Sequence, residues 1–269
     1  QEAKELREFC ERTDMYVESI VRLPKNEFDV SRFTAEIQVA ADCGALAART
    51  TVIPGRRYEQ FQTLEGFRNA ESEARRALEL AAPIVEKSRM PLAVENHKDQ
   101  RIDERIQLFE HIGSEFVGAC LDTGNSFALL DGAYEPIEVL APYAFSVHLK
   151  DQALQGYSKG FLLGDIPLGQ GSFDLKRMVK LILKHKPQAR FSLELITRDP
   201  LQVPCLTEGY FDTLPAVTAR DLARTMRFVH DHAVDRQQHV SSLPLGQQVQ
   251  LEGANVNASL NYAGDVLKI

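Results

Sequence analysis

The sequence of 269 residues has no long hydrophobic run and few cysteines. No stretch approaches the roughly 20 consecutive apolar residues of a membrane-spanning helix, which argues against a membrane-embedded protein. The four cysteines are Cys10, Cys43, Cys120 and Cys205, and they form neither a C-x-x-C pair nor a short-loop disulfide framework. We therefore expect reduced thiols in a cytoplasmic protein.

Basic residues are also in the minority. The chain has 31 lysines and arginines against 38 aspartates and glutamates, a formal net charge of −7 at pH 7. Nucleic acids and anionic membrane surfaces are bound through concentrated Lys and Arg, so neither is an expected partner. A small, neutral or polyhydroxylated ligand suits this charge balance. No G-x-G-x-x-G follows a predicted strand, which leaves a dinucleotide-binding fold without support.

Short apolar runs alternate along the chain with longer amphipathic stretches. The short runs predict six strands, at 15–24, 45–55, 91–95, 116–122, 144–149 and 190–196. The longer stretches predict helices at 28–44, 63–89, 103–112, 135–141, 174–185 and 218–232. Strands that alternate with helices pair in parallel through βαβ units, so the predicted class is α/β.

Six strands are two fewer than a closed (β/α)8 TIM barrel requires. Because the chain opens on a helical pattern, we expect the first one or two strands to be missing upstream of Gln1; an open doubly wound sheet is the alternative. We assign residues 1–232 to the barrel domain and 233–269 to a C-terminal extension that packs on it. The Gly-rich segment 164–174 is predicted to be a lid loop, and the Pro-punctuated segment 199–215 a long loop over the site or a neighbouring subunit.

Four successive predicted strands end in side chains that commonly bind metal ions. "PLAVE" ends at Glu95, "VGACLD" at Asp122, "AFSVH" at His148 and "FSLE" at Glu194. A single residue of this kind is more commonly a helix cap or an ion-pair partner, but the ends of barrel strands share one rim. Three carboxylates gathered there would repel one another, and a divalent cation relieves the repulsion. Three carboxylates and an imidazole favour Mn²⁺, Mg²⁺ or Co²⁺ over a structural zinc site.

Four further polar residues stand close to these strand ends. Asn125 follows Asp122 by three residues, near enough to reach a ligand from the same loop. Lys150 and His97 each stand two residues after a predicted metal ligand, so the alternation of a strand points them the same way. Arg198 lies just past the last strand. We expect all four to bind substrate, with a carboxylate contact as the alternative for His97 and a surface ion pair as the alternative for Arg198.

The motifs "VENH", "LDTGN", "VHLKD", "LGQGSFD" and "SLEL", in that order, resemble those of the sugar phosphate isomerase/epimerase family of xylose isomerase-like TIM barrels. The resemblance covers residues 15–232. It implies one divalent metal ion, with Mn²⁺ expected and Mg²⁺, Co²⁺ or Zn²⁺ as alternatives. The residues that the resemblance assigns to this ion are Glu95, Asp122, His148 and Glu194.

The resemblance also implies a reaction. It predicts an isomerase or epimerase that acts on a sugar, a sugar phosphate or an inosose by proton transfer through a metal-stabilised enediolate. Glu95 and Glu194 are the expected catalytic residues, one removing the proton and the other returning it. A dehydratase or a 3-keto-glycoside lyase would use the same chemistry, and a non-catalytic sugar-binding barrel is a further alternative. The expected partner is a small-molecule carbohydrate, and a homo-oligomer is left open.

Three positions differ from those of family members that epimerise free ketoses. Those enzymes often have His where this chain has Asn125, Arg where it has Leu154, and Glu where it has Arg101. The resemblance therefore specifies the metal site more closely than it specifies the substrate.

Overall fold

Nine β-strands, divided between two sheets, are found in the computed structural model, which describes residues 1–269. The strands are β1 (Glu18–Ile20), β2 (Ala47–Thr50), β3 (Leu92–Glu95), β4 (Val117–Asp122), β5 (Ala144–Leu149), β6 (Asp151–Tyr157), β7 (Gly160–Ile166), β8 (Phe191–Leu193) and β9 (Leu201–Val203). Six of them form a parallel sheet in the order β1-β2-β3-β4-β5-β8, and the other three form an antiparallel sheet in the order β6-β7-β9. The parallel sheet with its intervening helices confirms the predicted α/β class, as a partial (β/α)8 barrel.

Ten α-helices accompany these sheets. They are α1 (Glu2–Thr13), α2 (Val30–Asp42), α3 (Arg57–Gln60), α4 (Leu64–Ser88), α5 (Ile102–Ile112), α6 (Glu135–Leu140), α7 (Leu175–His185), α8 (Glu208–Phe211), α9 (Ala219–His232) and α10 (Leu245–Tyr262). Three helices begin at a capping side chain that accepts a hydrogen bond from a backbone N–H in the first turn. The caps are Thr63 for α4, Asp174 for α7 and Thr218 for α9. These caps explain why the predicted starts of the three helices lie within one residue of the observed starts. No helix combines the length and apolar character that crossing a bilayer requires.

One continuous hydrophobic core joins the two sheets and the helices. Phe33 of α2 and Leu78 of α4 are fully buried in it, beside Leu92 of β3. The same core includes Leu154 of β6 and Phe161 of β7. The antiparallel sheet is therefore an integral part of the barrel rather than a surface appendage.

The two segments predicted to be loops contain regular structure, so both predictions were wrong in part. The first residues of the supposed lid, 164–166, belong to β7, which pairs with β6 along its whole length. The supposed long loop contains β9 and α8, and β9 pairs with β7. The pairing joins residues some 40 positions apart, and local sequence patterns carry little information about such distant partners.

The C-terminal segment 233–269 contacts the barrel at several points. The backbone N–H of Val234 donates to the carbonyl of Leu154 at 2.8 Å. Further along, the hydroxyl of Ser259 in α10 accepts a hydrogen bond from the backbone N–H of Leu168 at 3.2 Å. These contacts place the segment against the antiparallel sheet and the connection that follows it. The proposed domain boundary at residue 232 stays a prediction.

The two edges of the parallel sheet approach each other. Tyr16, just before β1, shares a hydrogen bond of 2.8 Å with Ser192 of β8. Beside it, Arg190 donates to the carboxylate of Asp14 at 2.8 Å. Side chains thus bridge two strands that have no backbone ladder between them, and the sheet curves around a shared interior.

A β-bulge sets the register of the sheet near its carboxyl end. The pairing of β4 with β5 shifts by one residue between Ala119 and Cys120, which leaves Phe145 without an opposite partner. As a result, Asp122 lies opposite His148. Paired residues of parallel strands project to the same face, so the bulge brings these two side chains together.

Candidate metal centre

The four side chains predicted to bind a metal ion lie together at the carboxyl end of the parallel sheet. One donor atom each of Glu95, Asp122, His148 and Glu194 lies within 4.8 Å of the other three. The first three are buried on β3, β4 and β5, and Glu194 directly follows β8 with its side chain 24% exposed. The strand ends therefore converge as the shared rim of a barrel requires. That these residues are ligands stays a prediction at this point.

Backbone contacts leave one oxygen of Asp122 directed into the cluster. Its Oδ1 accepts hydrogen bonds from the backbone N–H groups of Gly124 at 2.9 Å and Asn125 at 2.8 Å. The side chain of Asn96 ties the ends of β3 and β4 together, because it accepts from the N–H of Asp122 and donates to the carbonyl of the same residue. The carboxylate thus has a fixed orientation before any ligand binds.

Two donor atoms of the cluster lack a hydrogen-bond partner of acceptable geometry. They are Asp122 Oδ2 and His148 Nδ1, and both are buried. Each does have a charged neighbour: Lys150 Nζ lies 2.9 Å from Asp122 Oδ2, and Glu194 Oε2 lies 2.5 Å from His148 Nδ1. A buried polar atom without a hydrogen-bond partner lowers the stability of the folded protein. Three carboxylates and an imidazole with donor atoms within 4.8 Å of one another fit a hard divalent cation.

The acidic residues perturb one another strongly. Burial raises the pKa of Glu95, and the nearby carboxylates of Asp122 and Glu194 raise it further. For Glu194 burial acts in the same direction, but the close contact with His148 and the charge of Lys150 outweigh burial and hold the pKa well below the usual range. Like charges gathered in a partly dry site are stabilised by a cation.

Glu18 of β1 is a member of the site that the sequence did not indicate. Its Oε1 lies 2.8 Å from His148 Nε2, so a carboxylate holds the imidazole on the side away from Glu194. Glu18, Cys120 and His148 also form a second group whose donor atoms lie within 4.8 Å of one another. A carboxylate on the outer nitrogen fixes the ring orientation and the tautomer of a metal-binding histidine.

The sequence likewise did not indicate Arg49 of β2. Its guanidinium forms an ion pair with Glu95 and lies 3.4 Å from Glu18. Glu18 and Arg49 stand on the first two strands, just as the predicted ligands stand on the last four. The predicted segments 15–24 and 45–55 were much longer than the observed strands, so their ends did not point to these residues.

Lys150 and Asn125, two of the predicted substrate-binding residues, reach the cluster. The ammonium group of Lys150 is buried and lies 3.3 Å from Glu194 Oε1. Burial opposes its charge, but Asp122 and other nearby acids outweigh burial and raise the pKa of Lys150. The amide of Asn125 donates to Glu95 Oε1 at 3.2 Å. Substrate binding by either residue stays a prediction.

The other two predicted substrate-binding residues are engaged with protein groups. The ring of His97 shares a hydrogen bond of 2.9 Å with the carbonyl oxygen of Gly55, not with a carboxylate. Arg198 lies 3.3 Å from a carboxylate oxygen of Asp165, in an ion pair that is partly buried rather than on the surface. Arg198 also lines a cavity of about 330 Å³ between the antiparallel sheet and the C-terminal segment.

A sequence profile described as xylose isomerase-like TIM barrel matches residues 1–227. The chain belongs to this family. Two solved structures of xylose isomerase-like proteins have the same fold. One, a xylose isomerase domain protein from Planctomyces limnophilus, is 13% identical with a TM-score of 0.55, over 85% of this chain and 82% of the other. The second, from Mycobacterium smegmatis and solved in complex with magnesium, is 15% identical with a TM-score of 0.51, over 83% and 77%.

Among curated proteins, this xylose isomerase-like barrel is similar to a 3-oxo-isoapionate decarboxylase from Pectobacterium atrosepticum. The two are 30% identical over 107 residues. The matched segment spans 39% of this chain and only 38% of the relative. The relatives of this barrel therefore include a decarboxylase, matched over less than half of either chain.

Proposed function

We propose that the protein is a divalent-metal-dependent isomerase or epimerase that acts on a keto-sugar, a sugar phosphate or an inosose. The observation that carries this proposal is the convergence of Glu95, Asp122, His148 and Glu194 within 4.8 Å. When bound, a divalent ion supplies Lewis-acid stabilisation for the oxyanion that forms when a C–H next to a ketone loses its proton. Mn²⁺ is the proposed ion, and Mg²⁺, Co²⁺ or Zn²⁺ would suit the same oxygen-rich set.

Glu95 and Glu194 are the proposed proton-transfer groups. Their strands, β3 and β8, are separated in the sheet by β4 and β5, so the two carboxylates reach a bound substrate from different sides. If one removes a proton and the other returns it to the opposite face, the stereocentre is inverted. If a single carboxylate carries the proton between neighbouring carbons, the product is the isomeric aldose or ketose.

Lys150 and Asn125 are the proposed substrate-binding groups closest to the proton-transfer carboxylates. The ammonium of Lys150 touches both Asp122 and Glu194, and it is able to donate a hydrogen bond to a substrate oxygen beside them. Asn125 offers an amide next to Glu95. Such fixed donors hold the reacting C–H in line with the base, which is a large part of enzymatic rate enhancement.

A deuterium-exchange screen tests the proposal. The full chain loaded with Mn²⁺ is incubated in D₂O with keto-sugars, ketose phosphates, keto sugar acids, inososes and 3-keto-glycosides, and each compound is followed by NMR. Deuterium at a carbon next to the ketone is the expected result for at least one of them. Absence of exchange across the whole panel, in protein with confirmed metal content, would contradict the proton-transfer chemistry.

Decarboxylation of a 3-oxo acid is a second candidate, favoured by the similarity to 3-oxo-isoapionate decarboxylase. In that reaction the bond between the α-carbon and the carboxylate breaks, its electron pair forms an enolate with the neighbouring ketone, and CO₂ leaves. A proton then adds to the α-carbon. The two candidates differ in one measurement: isomerisation gives exchange without CO₂, whereas decarboxylation releases one CO₂ for each deuteron incorporated.

A further inference from the structure

Lys98 is a buried cation that the proposed chemistry does not use. It stands three residues after Glu95, in the loop that follows β3, and it is only 2% exposed. Its ammonium donates to Asn125 Oδ1 and forms no ion pair with a carboxylate. A buried charge is strongly unfavourable unless an opposite charge compensates it, so the absence of a protein partner calls for an explanation.

A second ammonium group shares the same acceptor. Lys150 Nζ lies 3.4 Å from Asn125 Oδ1, so two cations meet at one neutral oxygen. The charge of Lys150 is matched by Asp122 and Glu194, whereas that of Lys98 is not. Burial lowers the pKa of Lys98 to about 8, and the charge of Lys150 contributes to the shift. At neutral pH, Lys98 therefore still carries its charge for most of the time.

The nearby carboxylates already have other partners. Glu95 is paired with Arg49, and Asp165 with Arg198. Arg198 has in addition a buried Nε without a hydrogen-bond partner. A divalent ion held by the four strand-end residues would add positive charge to this region, where Lys98 has no carboxylate of its own.

We propose that Lys98 binds an anionic group of the substrate, a carboxylate or a phosphate, and that the substrate is therefore an anionic polyhydroxy compound rather than a neutral sugar. An ammonium has three donors, and Asn125 takes one of them, which leaves two for the oxygens of an anion. Because Asn125 contacts both Lys98 and Glu95, the anion binds beside the metal cluster on the side of Asn125. The inference rests on the proposed function, since it assigns the substrate class of the same site.

The test compares three four-carbon probes by isothermal titration calorimetry on the full chain loaded with Mn²⁺: erythronate, erythritol 4-phosphate and erythritol. We expect one of the two anions to bind at least about 10-fold more tightly than erythritol, and the anion that does so identifies the carboxylate or the phosphate as the recognised group. Charge-assisted hydrogen bonds have this strength. Equal affinities for the three probes, or no detectable binding of either anion, would overturn the proposal.

The Lys98→Gln variant sharpens the test. It should weaken binding of the preferred anion about 10- to 100-fold and leave the affinities for erythritol and Mn²⁺ unchanged. Lys159→Gln is the matched control, because it removes the same charge from an exposed turn between β6 and β7, and it should change no affinity. Unchanged anion binding in Lys98→Gln, or an equal loss in the control, would reject the assignment.

A second variant and the deuterium-exchange result separate the role of Lys98 from the proposed reaction. If Lys98→Gln does not fold, Lys98→Met preserves the length of the side chain and its packing, and the anion preference of the unmodified protein still decides the question. Failure of deuterium exchange together with intact, Lys98-dependent anion binding would reject the proposed reaction alone. Exchange on neutral ketoses without any anion preference would reject the role of Lys98 alone.

Discussion

At the scale of single residues, the metal centre consists of side chains whose orientation is fixed by neighbours. Asp122 is held by two backbone N–H groups, and Glu95 by Arg49 and Asn125. His148 has a carboxylate on each ring nitrogen. Burial opposes the charge of His148, but its contacts with Cys120 and these carboxylates outweigh burial and raise the pKa of His148 far above its usual range. Side chains held in this way are positioned before a ligand arrives.

Replacement of Glu194 tests the proposed proton transfer. Gln has nearly the same shape but does not accept a proton, so Glu194→Gln should lower the rate of deuterium exchange by about 10²- to 10⁴-fold. The rates are compared at equal metal occupancy, because Gln is also a weaker ligand. Glu115→Gln, an exposed position on the surface, is the control and should keep the full rate. Full activity of Glu194→Gln would exclude Glu194 as a base.

Lys98 should give a measurable pH dependence of stability. Its pKa of about 8 in the folded protein lies below the ordinary value of 10.5. Between these values the unfolded chain holds a proton that the folded chain has lost, so the free energy of unfolding should rise with pH, by at most about 1.4 kcal/mol per pH unit. The charged groups that face Lys98 are Lys150, Asp122, Asp165 and Arg198.

The measurement is urea unfolding between pH 8 and pH 10 in the presence of EDTA. The difference in stability between the native protein and Lys98→Met should increase in favour of the native protein across this window. Parallel curves for the two proteins would show that Lys98 keeps an ordinary pKa in the folded state.

The sequence revealed the four strand-end residues because each closes an apolar run that is visible locally. It did not reveal Lys98, because the strand ends at Glu95 and the direction of later side chains depends on the path of the loop. Glu18 and Arg49 were missed because the predicted segments 15–24 and 45–55 extend well beyond the observed strands, so the predicted ends fell on other residues. Functional residues at clearly delimited strand ends are predictable from the sequence, whereas those on loops and on poorly delimited strands depend on tertiary contacts.

At the scale of secondary-structure elements, the pairing of β4 with β5 depends on a glycine. A Cβ at Gly118 would collide with the carbonyl oxygen of Tyr143 and would lie 2.7 Å from a ring carbon of Phe145, the extra residue of the bulge. Gly118→Ala should therefore lower the free energy of unfolding by about 1–3 kcal/mol, as overpacking does. It should also weaken Mn²⁺ binding, because β4 carries Asp122 and the bulge aligns it with His148.

Gly156→Ala in β6 is the matched control, since nothing lies within 4 Å of a Cβ at that position. Urea unfolding and Mn²⁺ titration of both variants give the result. Equal stability of the two variants would show that the close approach at Gly118 relaxes without cost.

The connection between β3 and α5 is anchored by a fully buried ion pair. Arg105 Nη2 lies 3.0 Å from both carboxylate oxygens of Asp99, and neither side chain is exposed. Asp99→Asn leaves the guanidinium without a counter-charge and should cost about 3–5 kcal/mol in unfolding free energy. Asp231→Asn, which breaks an exposed pair with Arg227, should have a much smaller effect in the same urea titration. A similar loss in both variants would contradict the anchoring role.

The elements that sequence patterns missed are those defined by distant partners. Only Lys150 separates β6 from β5, and β6 pairs with β7, which gains its second neighbour from β9. The parallel strands were easier to predict, because each is followed by a helix with its own periodicity and, for α4, α7 and α9, its own cap.

At the scale of the whole molecule, six parallel strands bring their carboxyl ends to one rim although the backbone ladder does not close. Side-chain bridges between Tyr16 and Ser192, and between Asp14 and Arg190, link the two edges of the sheet. Contacts from Glu18 on the first strand to His148 on the fifth cross the interior of the same curve. The curvature is what gathers acidic residues that are up to 176 positions apart, a distance set by Glu18 and Glu194.

The proposed chemistry depends on a single divalent cation held by the four strand-end residues. The most direct measurement is anomalous X-ray diffraction from crystals soaked in Mn²⁺. One strong peak is expected, in contact with Glu95, Asp122, His148 and Glu194 and with no other residue. A peak bound by other residues, or no peak at this cluster in crystals saturated with Mn²⁺, would contradict this proposal.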